Sequence, residues 1–430
     1  MKLEQIRNEI ATGRLDKILE QQCGCRGKAA ADIHRQRILS ACDGFEDAFG
    51  ADRDVFLFSV GGRTEVSGNH TDHNRGKVLC AAVDLDIIAV AAVRSDDTVR
   101  VKSQGFPMDT VSAVDTKAPC DEKRFSSGAL IAGVRHAFKE KGYTDGGFDA
   151  YTTSAVLKGS GLSSSAAFEV MIGNILNHLY NGGEIPPEKL AEMAQFAENV
   201  FFGKPCGLMD QMACAVGGFI YIDFARKCSP FVEKLDFDPE DFGLRLCIVD
   251  TKCDHSDLNG EYAAIPAEMK SVAAQFGRKV LREVDEEELL NCCGMVRRQC
   301  GDRAFLRAMH FMEENERVER QRSALKHKDA AVFMKLVEES GDSSYKFLQN
   351  IYAPGDPKHQ GVAVALCIAQ KLLSDADGVC RIHGGGFAGT IQAFVPESSI
   401  EDFRSGMEKL CGAGACHVLS VRRGGALRLL

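Results

Sequence analysis

The stretch from Phe148 to Tyr180 constrains the fold of this chain most. An apolar segment that reads as a strand, Phe148 to Leu157, runs into the small-residue loop Lys158-Gly159-Ser160-Gly161-Leu162-Ser163-Ser164-Ser165, and an apolar helical run follows from Ala166 to Tyr180. A glycine-rich turn that opens a helix exposes backbone N–H groups with no partner inside the helix, and the helix dipole favours an anion in front of them. Phosphate fits such a place. The hydroxyls of Ser163, Ser164 and Ser165 can cap the helix, touch phosphate or bind Mg²⁺. A plain N-cap is the alternative reading of the same residues. The Gly-Lys-Ser/Thr ending of a Walker A loop is absent.

Around this junction, helical and strand-like segments are interspersed without a regular βαβ beat, which predicts an α+β fold rather than a doubly wound parallel sheet. The first fifty residues read as helical, with apolar positions at Ile6, Ile10, Ile18, Leu19, Ile38, Phe45 and Phe49. Val55 to Val60 reads as a strand, Val78 to Val93 is apolar for about the length of two strands, and 97–103 alternates like an edge strand. A helix over 187–202 carries Glu198, and Gly203-Lys204-Pro205 stops it. The long charged stretch 284–350 reads as helical with short breaks, followed by a helix at 359–374, strands at 379–383 and 389–395, and a final helix and strand. With 430 residues and 45% apolar content the chain has material for two packed domains, since single cores rarely grow beyond about 250–300 residues. A boundary near 215–240 gives domains 1–225 and 226–430.

The formal net charge of −9 argues against broad nucleic-acid or anionic-membrane binding, which needs a basic face. The start MKLEQIRNEI carries charges where a secretory signal needs an apolar run, and no stretch of about 18 apolar residues occurs, so a cytosolic protein without membrane attachment is expected. The 17 cysteines are scattered singly through apolar segments apart from Cys23-Gly24-Cys25 and Cys292-Cys293, and neither pair has partners at zinc spacing. They read as reduced core thiols.

Two further segments carry chemistry. Gly61 to Gly76 (GGRTEVSGNHTDHNRG) packs polar residues between two apolar strands, and its Asp and His side chains can converge on a hydroxylated ligand while an Arg offsets phosphate charge. A solvated loop is the bland alternative. His383-Gly384-Gly385-Gly386-Phe387-Ala388-Gly389 satisfies the G-x-G-x-x-G pattern formally, but strand-like residues follow it and no βαβ unit does. A glycine turn that lets backbone approach a ligand is the better reading.

In this order and spacing the three segments resemble those of the GHMP kinase superfamily, and Gly62 to Gly76 is similar to the galactokinase signature G-R-x-N-L-I-G-E-H-T-D-Y-N-x-G. Gly159 to Ala167 resembles the family's G-x-G-L-S-S-S-A-A loop, Gly384 to Gly389 its G-G-G-F-G-G turn, and Pro205-Cys206-Gly207-Leu208-Met209-Asp210-Gln211 its segment bearing the acidic active-site residue. The resemblance spans about 50 to 425. It implies two α+β domains with the active site in the cleft between them, and ATP-dependent phosphorylation of the anomeric hydroxyl of a galactose-like sugar. By the same resemblance Asp210 is the base and Arg63 stabilises charge. Gly159, Ser160, Gly161, Leu162, Ser163, Ser164, Ser165 and Ala166 hold ATP, and Ser165 with Glu198 holds Mg²⁺. His70, Asp72, Gly207 and Tyr262, with Asn69 among them, lie at the sugar; the implied partners are a small sugar and a nucleotide.

The departures from the signature that bear on the site are Asn69 for its glutamate, Glu65 for its asparagine and His73 for its tyrosine. An amide in place of a carboxylate repels a C6 carboxylate less, so a uronic-acid kinase is an alternative to a galactose kinase, while Tyr262 favours galactose. Ser127 and Leu130 stand where the family has a W-x-x-Y pair around the nucleotide base. A galactose sensor without turnover is a further alternative, but such proteins lose part of the loop or the base. A kinase of another alcohol is the last, and His70-Thr71-Asp72 speaks against it.

Overall fold

In the computed structural model, which describes residues 1–156, 162–226, 229–253 and 258–430, the chain opens with helices α1 (Leu3–Ala11), α2 (Asp16–Cys23) and α3 (Gly27–Phe49). Strands β1 (Phe56–Ser67), β2 (Lys77–Val93), β3 (Val99–Ser103) and β4 (Met108–Val111) follow, then helix α4 (Ser127–Glu140) and strand β5 (Phe148–Ser154). Helices α5 (Ser164–Tyr180), α6 (Pro187–Phe196) and α7 (Met209–Val216) lead to β6 (Phe219–Asp223), β7 (Phe231–Leu235) and β8 (Leu244–Asp250). Next come α8 (Asn259–Gln275), α9 (Glu286–Asn291), α10 (Cys293–Cys300), α11 (Asp302–Lys326), α12 (Ala330–Ser343) and α13 (Gly361–Leu373). Strands β9 (Val379–Ile382) and β10 (Thr390–Pro396), helix α14 (Ile400–Cys411) and strands β11 (Cys416–Leu419) and β12 (Ala426–Arg428) complete the series. The first sheet has the order β12-β1-β2-β5-β3-β4 with β6 and β7 branching from β2, and the second has the order β11-β8-β10-β9. This is an α+β architecture.

The apolar run at 78–93 forms one strand, not two, because both faces of the first sheet are covered. Ile87, Ala89 and Ala91 enter the core shared with Ile131, Val170, Leu190 and Met212 of α4 to α7, while Ile88, Val90 and Ala92 enter a second core with Ile6, Leu19, Ile38 and Phe45 of α1 to α3. A strand buried on both sides loses its alternating pattern and reads as a continuous run. Residues at one end of β2 pair with β6 and those at the other end with β5. Strand β3, expected at an edge, lies between β5 and the mostly exposed β4.

The expected boundary at 225/226 falls inside the β6–β7 hairpin, whose register pairs Phe219 with Leu235, so β7 stays with the first sheet. Strand β12 also returns there and pairs Phe58 with Arg428. The first sheet is therefore built from distant parts of the chain, and a single cut does not separate it from the second. The helical layer α1 to α3 is tied to it through buried Asp86, which accepts from Arg37 Nη1 at 2.5 Å and from the Ser59 hydroxyl, with Arg422 Nη1 at 3.6 Å. Burial pushes the Asp86 carboxyl up, but His34, Arg37 and Arg422 outweigh it and bring it to about 2.

Candidate active site

Gly159, Ser160 and Gly161 lie outside the described residues. From Leu162 onward the loop docks on β1, where the Arg63 N–H donates to the buried Leu162 carbonyl at 3.2 Å. Strand β1 shifts register between Gly61 and Arg63, and such a bulge re-aims the side chain beside it. Arg63 then grips Asp210, at the start of α7, with Nε on Oδ1 and Nη2 on Oδ2, each at 2.7 Å. Ser163 sits at φ 53°, a left-handed turn into α5, and its hydroxyl donates to Asp210 Oδ2. Burial alone would raise the Asp210 carboxyl, yet Arg63 and Ser163 outweigh it and hold Asp210 below the usual carboxylate range. Oδ1 keeps a lone-pair direction for a further donor. Burial works against the charge on Arg63, but Asp210 more than compensates and the guanidinium stays protonated.

Glu198 lies on a widened π-type turn, Ala197–Phe202, that continues α6 until Gly203 ends it. Its Oε1 accepts from the Ser165 hydroxyl at 3.1 Å and lies 3.5 Å from the Lys204 ammonium, while Oε2 accepts from Gln211 Nε2 at 2.7 Å. A hydroxyl and a carboxylate oxygen beside the phosphate loop are hard oxygen donors of the kind Mg²⁺ takes, and the Lys204 ammonium already neighbours Glu198 as a cation. These residues fit a divalent ion. Gln211 also donates to buried Glu169 at 3.1 Å, so one amide ties two carboxylates.

The polar segment after β1 folds back on the late glycine turn. His70, at φ 58°, donates Nε2–H to the Gly385 carbonyl at 2.8 Å, which leaves Nδ1 as an acceptor. Burial pulls the His70 imidazolium down to about 3, so the ring is neutral at physiological pH. Tyr262 donates its hydroxyl to the Gly386 carbonyl at 2.8 Å and packs edge-on against Phe387. Gly386 has φ +85° and an added Cβ would fall 2.1 Å from the Asn350 carbonyl oxygen, so only glycine closes this turn. Asp72 packs against Gly207, three residues before Asp210: a Cβ at 207 would fall 1.5 Å from Asp72 Oδ2. Asn69 is wholly buried, donating Nδ2 to Glu65 Oε1 at 2.6 Å and to the Gly384 carbonyl at 2.7 Å, and accepting at Oδ1 from Asn350 Nδ2 at 2.6 Å.

The sequence reading missed a buried polar stripe on α11. Arg307, His310, Glu314, Arg317 and Gln321 follow helical spacing along one face and are all buried. His310 Nε2 bonds the Asn69 carbonyl at 2.9 Å, Glu314 Oε1 accepts the Gly68 N–H at 2.8 Å, and Gln321 Nε2 donates to the Ser67 hydroxyl at 2.8 Å. Charges alternate inward from the site: Asp210, Arg63, Glu65, Arg381, Glu314 and Arg317, with Arg381 Nη2 3.8 Å from Glu65 and the Ser340 hydroxyl bridging Arg381 to Glu314. Burial pushes the Glu65 carboxyl up to about 7 despite Arg381 and Arg63. The start of α5, the carboxylate–arginine pair, the polar segment after β1 and the glycine turn thus form one connected polar network.

Known proteins resemble this chain over most of its length. The galactokinase galactose-binding signature matches residues 43–93, and the GHMP kinases N terminal domain matches 129–218. The galactokinase of Streptomyces coelicolor is 33% identical over 371 residues, covering 85% of this chain and 90% of that protein. The galactokinase of Actinobacillus pleuropneumoniae is 30% identical over 351 residues, covering 80% and 86%. Among solved structures, Lactococcus lactis galactokinase complexed with galactose superposes with a TM-score of 0.78 at 22% identity, covering 91% of this chain and all of that one. Methanococcus jannaschii mevalonate kinase gives 0.59 at 14% identity over 86% and 98% of the two chains, a likeness of fold. With relatives at this identity matched over most of both lengths, the chain belongs to the galactokinase family of the GHMP kinases.

Proposed function

We propose that this sugar kinase transfers the γ-phosphoryl group of ATP to the C1 hydroxyl of D-galactose, giving galactose 1-phosphate and ADP. The observation that carries the reading is the bidentate Arg63–Asp210 pair seated against Ser163 at the mouth of the phosphate loop. In the transfer, the C1 oxygen forms a bond to γ-phosphorus, the bond from phosphorus to the β–γ bridging oxygen breaks, and the hydroxyl proton passes to Asp210. A carboxylate held below its ordinary range is a weak base, which suits a loose transition state in which the hydroxyl loses its proton late, as the new bond raises its acidity. Arg63, kept cationic by Asp210, stabilises charge on the reacting oxygen and the γ-phosphoryl group.

The loop from Gly159 to Ala166 cradles the nucleotide phosphates with its backbone N–H groups and serine hydroxyls. Ser165 and Glu198 would hold Mg²⁺, which when bound neutralises phosphate charge. His70, neutral and with Nδ1 as acceptor, takes a sugar hydroxyl, and Asp72 accepts from a second. Gly207 and Tyr262 shape the rest of the sugar site, and Asn69 belongs to the same segment.

A second reading, galacturonate as substrate, draws on the absence of a carboxylate at position 69. A coupled ADP-release assay with Mg-ATP and D-galactose, D-galacturonate, L-arabinose and N-acetylgalactosamine separates them. Preferred turnover of galactose is expected; preference for galacturonate would replace that substrate, and silence across the panel would favour a sensor.

A further inference from the structure

Asn69 occupies the position where a direct contact to the C6 end of the sugar is expected, yet its side chain has no exposed surface and its bonds go to protein partners. Both N–H donors are spent, on Glu65 and on the Gly384 carbonyl, and the amide oxygen accepts from Asn350. Glu65 stands two positions after Arg63 on β1, on the same face of the strand, and faces Arg381 from the second sheet.

We propose that Glu65 and Asn69 act as one positioning unit, which sits beside Arg63 on β1 and holds the glycine turn beneath His70, so that residue 69 governs the sugar through His70 without touching it. This rests on the reading of the chain as a galactose kinase. The linkage is short. Asn350 Nδ2 bridges Asn69 Oδ1 and the Gly385 carbonyl, the latter at 3.1 Å, and the same carbonyl takes the His70 Nε2–H. Any displacement of the Asn69 amide therefore moves the acceptor that orients the His70 ring. The backbone around Asn69 is fixed from the opposite side by His310 and Glu314 of α11, which leaves the side chain little freedom to turn toward a ligand.

The sequence supplies an independent sign of the pairing. Against the signature, positions 65 and 69 have traded asparagine and glutamate, and the structure shows the two side chains in contact at 2.6 Å. The trade reverses one hydrogen bond and keeps one carboxylate in the pair, but places it at position 65, facing Arg381. Glutamate at both positions would set two carboxylates together, and asparagine at both would leave Arg381 facing an amide. The two residues are compatible only as a complementary pair.

The test is a double-mutant cycle on kcat/KM with two sugars, D-galactose and 6-deoxy-D-galactose, using Glu65→Ala, Asn69→Ala and the double variant. If the residues form one unit, each single change lowers kcat/KM about tenfold or more and the double is within about twofold of the worse single. In Asn69→Ala the ratio of the two sugars stays within about twofold of the unaltered protein, because no contact to the C6 hydroxyl is lost. Effects that multiply, or a ratio that collapses toward one in Asn69→Ala, would overturn the proposal. The same four proteins are compared by thermal unfolding without sugar. If the unaltered protein turned over neither sugar, the functional reading would fall, while additive unfolding effects would separately overturn the pairing.

Discussion

Replacing Asp210 by Asn retains the shape of the side chain and removes its charge. Two consequences are separable. The sugar hydroxyl loses its proton acceptor, and removal of a general base costs about 10²–10⁴ in rate, or about 2.7–5.4 kcal/mol in the barrier at about 1.36 kcal/mol per tenfold. Arg63 loses its bidentate partner while almost wholly buried. Breaking a buried pair by removing one partner typically costs about 3–5 kcal/mol. Here Asp210 retains 29% side-chain exposure and Glu65 still attracts the Arg63 charge, so the stability loss is smaller, about 2 kcal/mol. The coupled ADP-release assay should show kcat down by about 10³ for Asp210→Asn. Nucleotide affinity, measured by calorimetry, should stay within about threefold, because Asp210 meets the proposed phosphate cradle only through the Ser163 hydroxyl, which the substituted amide can still engage. A kcat within tenfold of the unaltered enzyme would refute Asp210 as base and reduce it to an anchor for Arg63; the unfolding loss alone would then remain.

Other changes probe neighbouring parts. Glu198→Gln should raise the Mg²⁺ concentration for half-maximal activity by about tenfold or more, and an unchanged metal titration would remove Glu198 from the metal assignment. Gly207→Ala places a methyl against Asp72 Oδ2, so KM for galactose should rise by about tenfold with a smaller change in nucleotide KM; an unchanged sugar KM would show that Asp72 does not depend on this contact. Asp86→Asn strands Arg422 and Arg37 and should cost about 3 kcal/mol at neutral pH. Because the folded carboxyl lies at about 2, its contribution is present above the ordinary carboxylate range and lost as pH falls through about 2. Urea unfolding from pH 5 to pH 2 should therefore fall less steeply in the variant, and equal slopes would count against the assignment.

The parts of the site that lie within short contiguous segments were legible in the sequence. The loop before α5, the 61–76 segment and the glycine turn each declare themselves as candidate sites by small and polar residues between apolar runs, because backbone approach to a ligand demands that composition locally. The α11 stripe was hidden for the opposite reason. Its Arg307, His310, Glu314, Arg317 and Gln321 sit on a long charged helix, where polar spacing of three and four reads as a solvated face, and only the packing of α11 against the end of β1 turns that face inward. The spacing itself was the available signal, since five polar residues on one face could have been weighed as a buried seam.

Pair contacts were hidden too. Glu65 and Asn69 read as two separate departures from the signature, and their contact depends on the turn at Gly68, φ +95°, which brings the chain back over the end of β1. The length of β2 is hard to read from sequence because α1 to α3 cover a sheet face that an α+β domain often leaves to solvent, and such coverage erases the alternation by which one strand is told from two. Composition marks polar turns and so sets the expected domain limit inside a hairpin, whereas sheet membership is decided by pairing between distant residues.

The return of β12 to the first sheet has a consequence for how the protein is made. Strand β1, which carries Arg63 and Glu65, is bordered on one side by residues 426–428, and Arg422 reaches back to Ser59 and Asp86 at the middle of the sheet. On a ribosome, the segment that holds Arg63, Ser163 and Asp210 is complete long before its neighbouring strand has been synthesised. Until then β1 presents an open edge, and the Asp86 cluster lacks one of its cations. The first sheet thus waits for residues translated hundreds of positions after Arg63, so premature release of the chain yields an unfinished sheet rather than a smaller working enzyme.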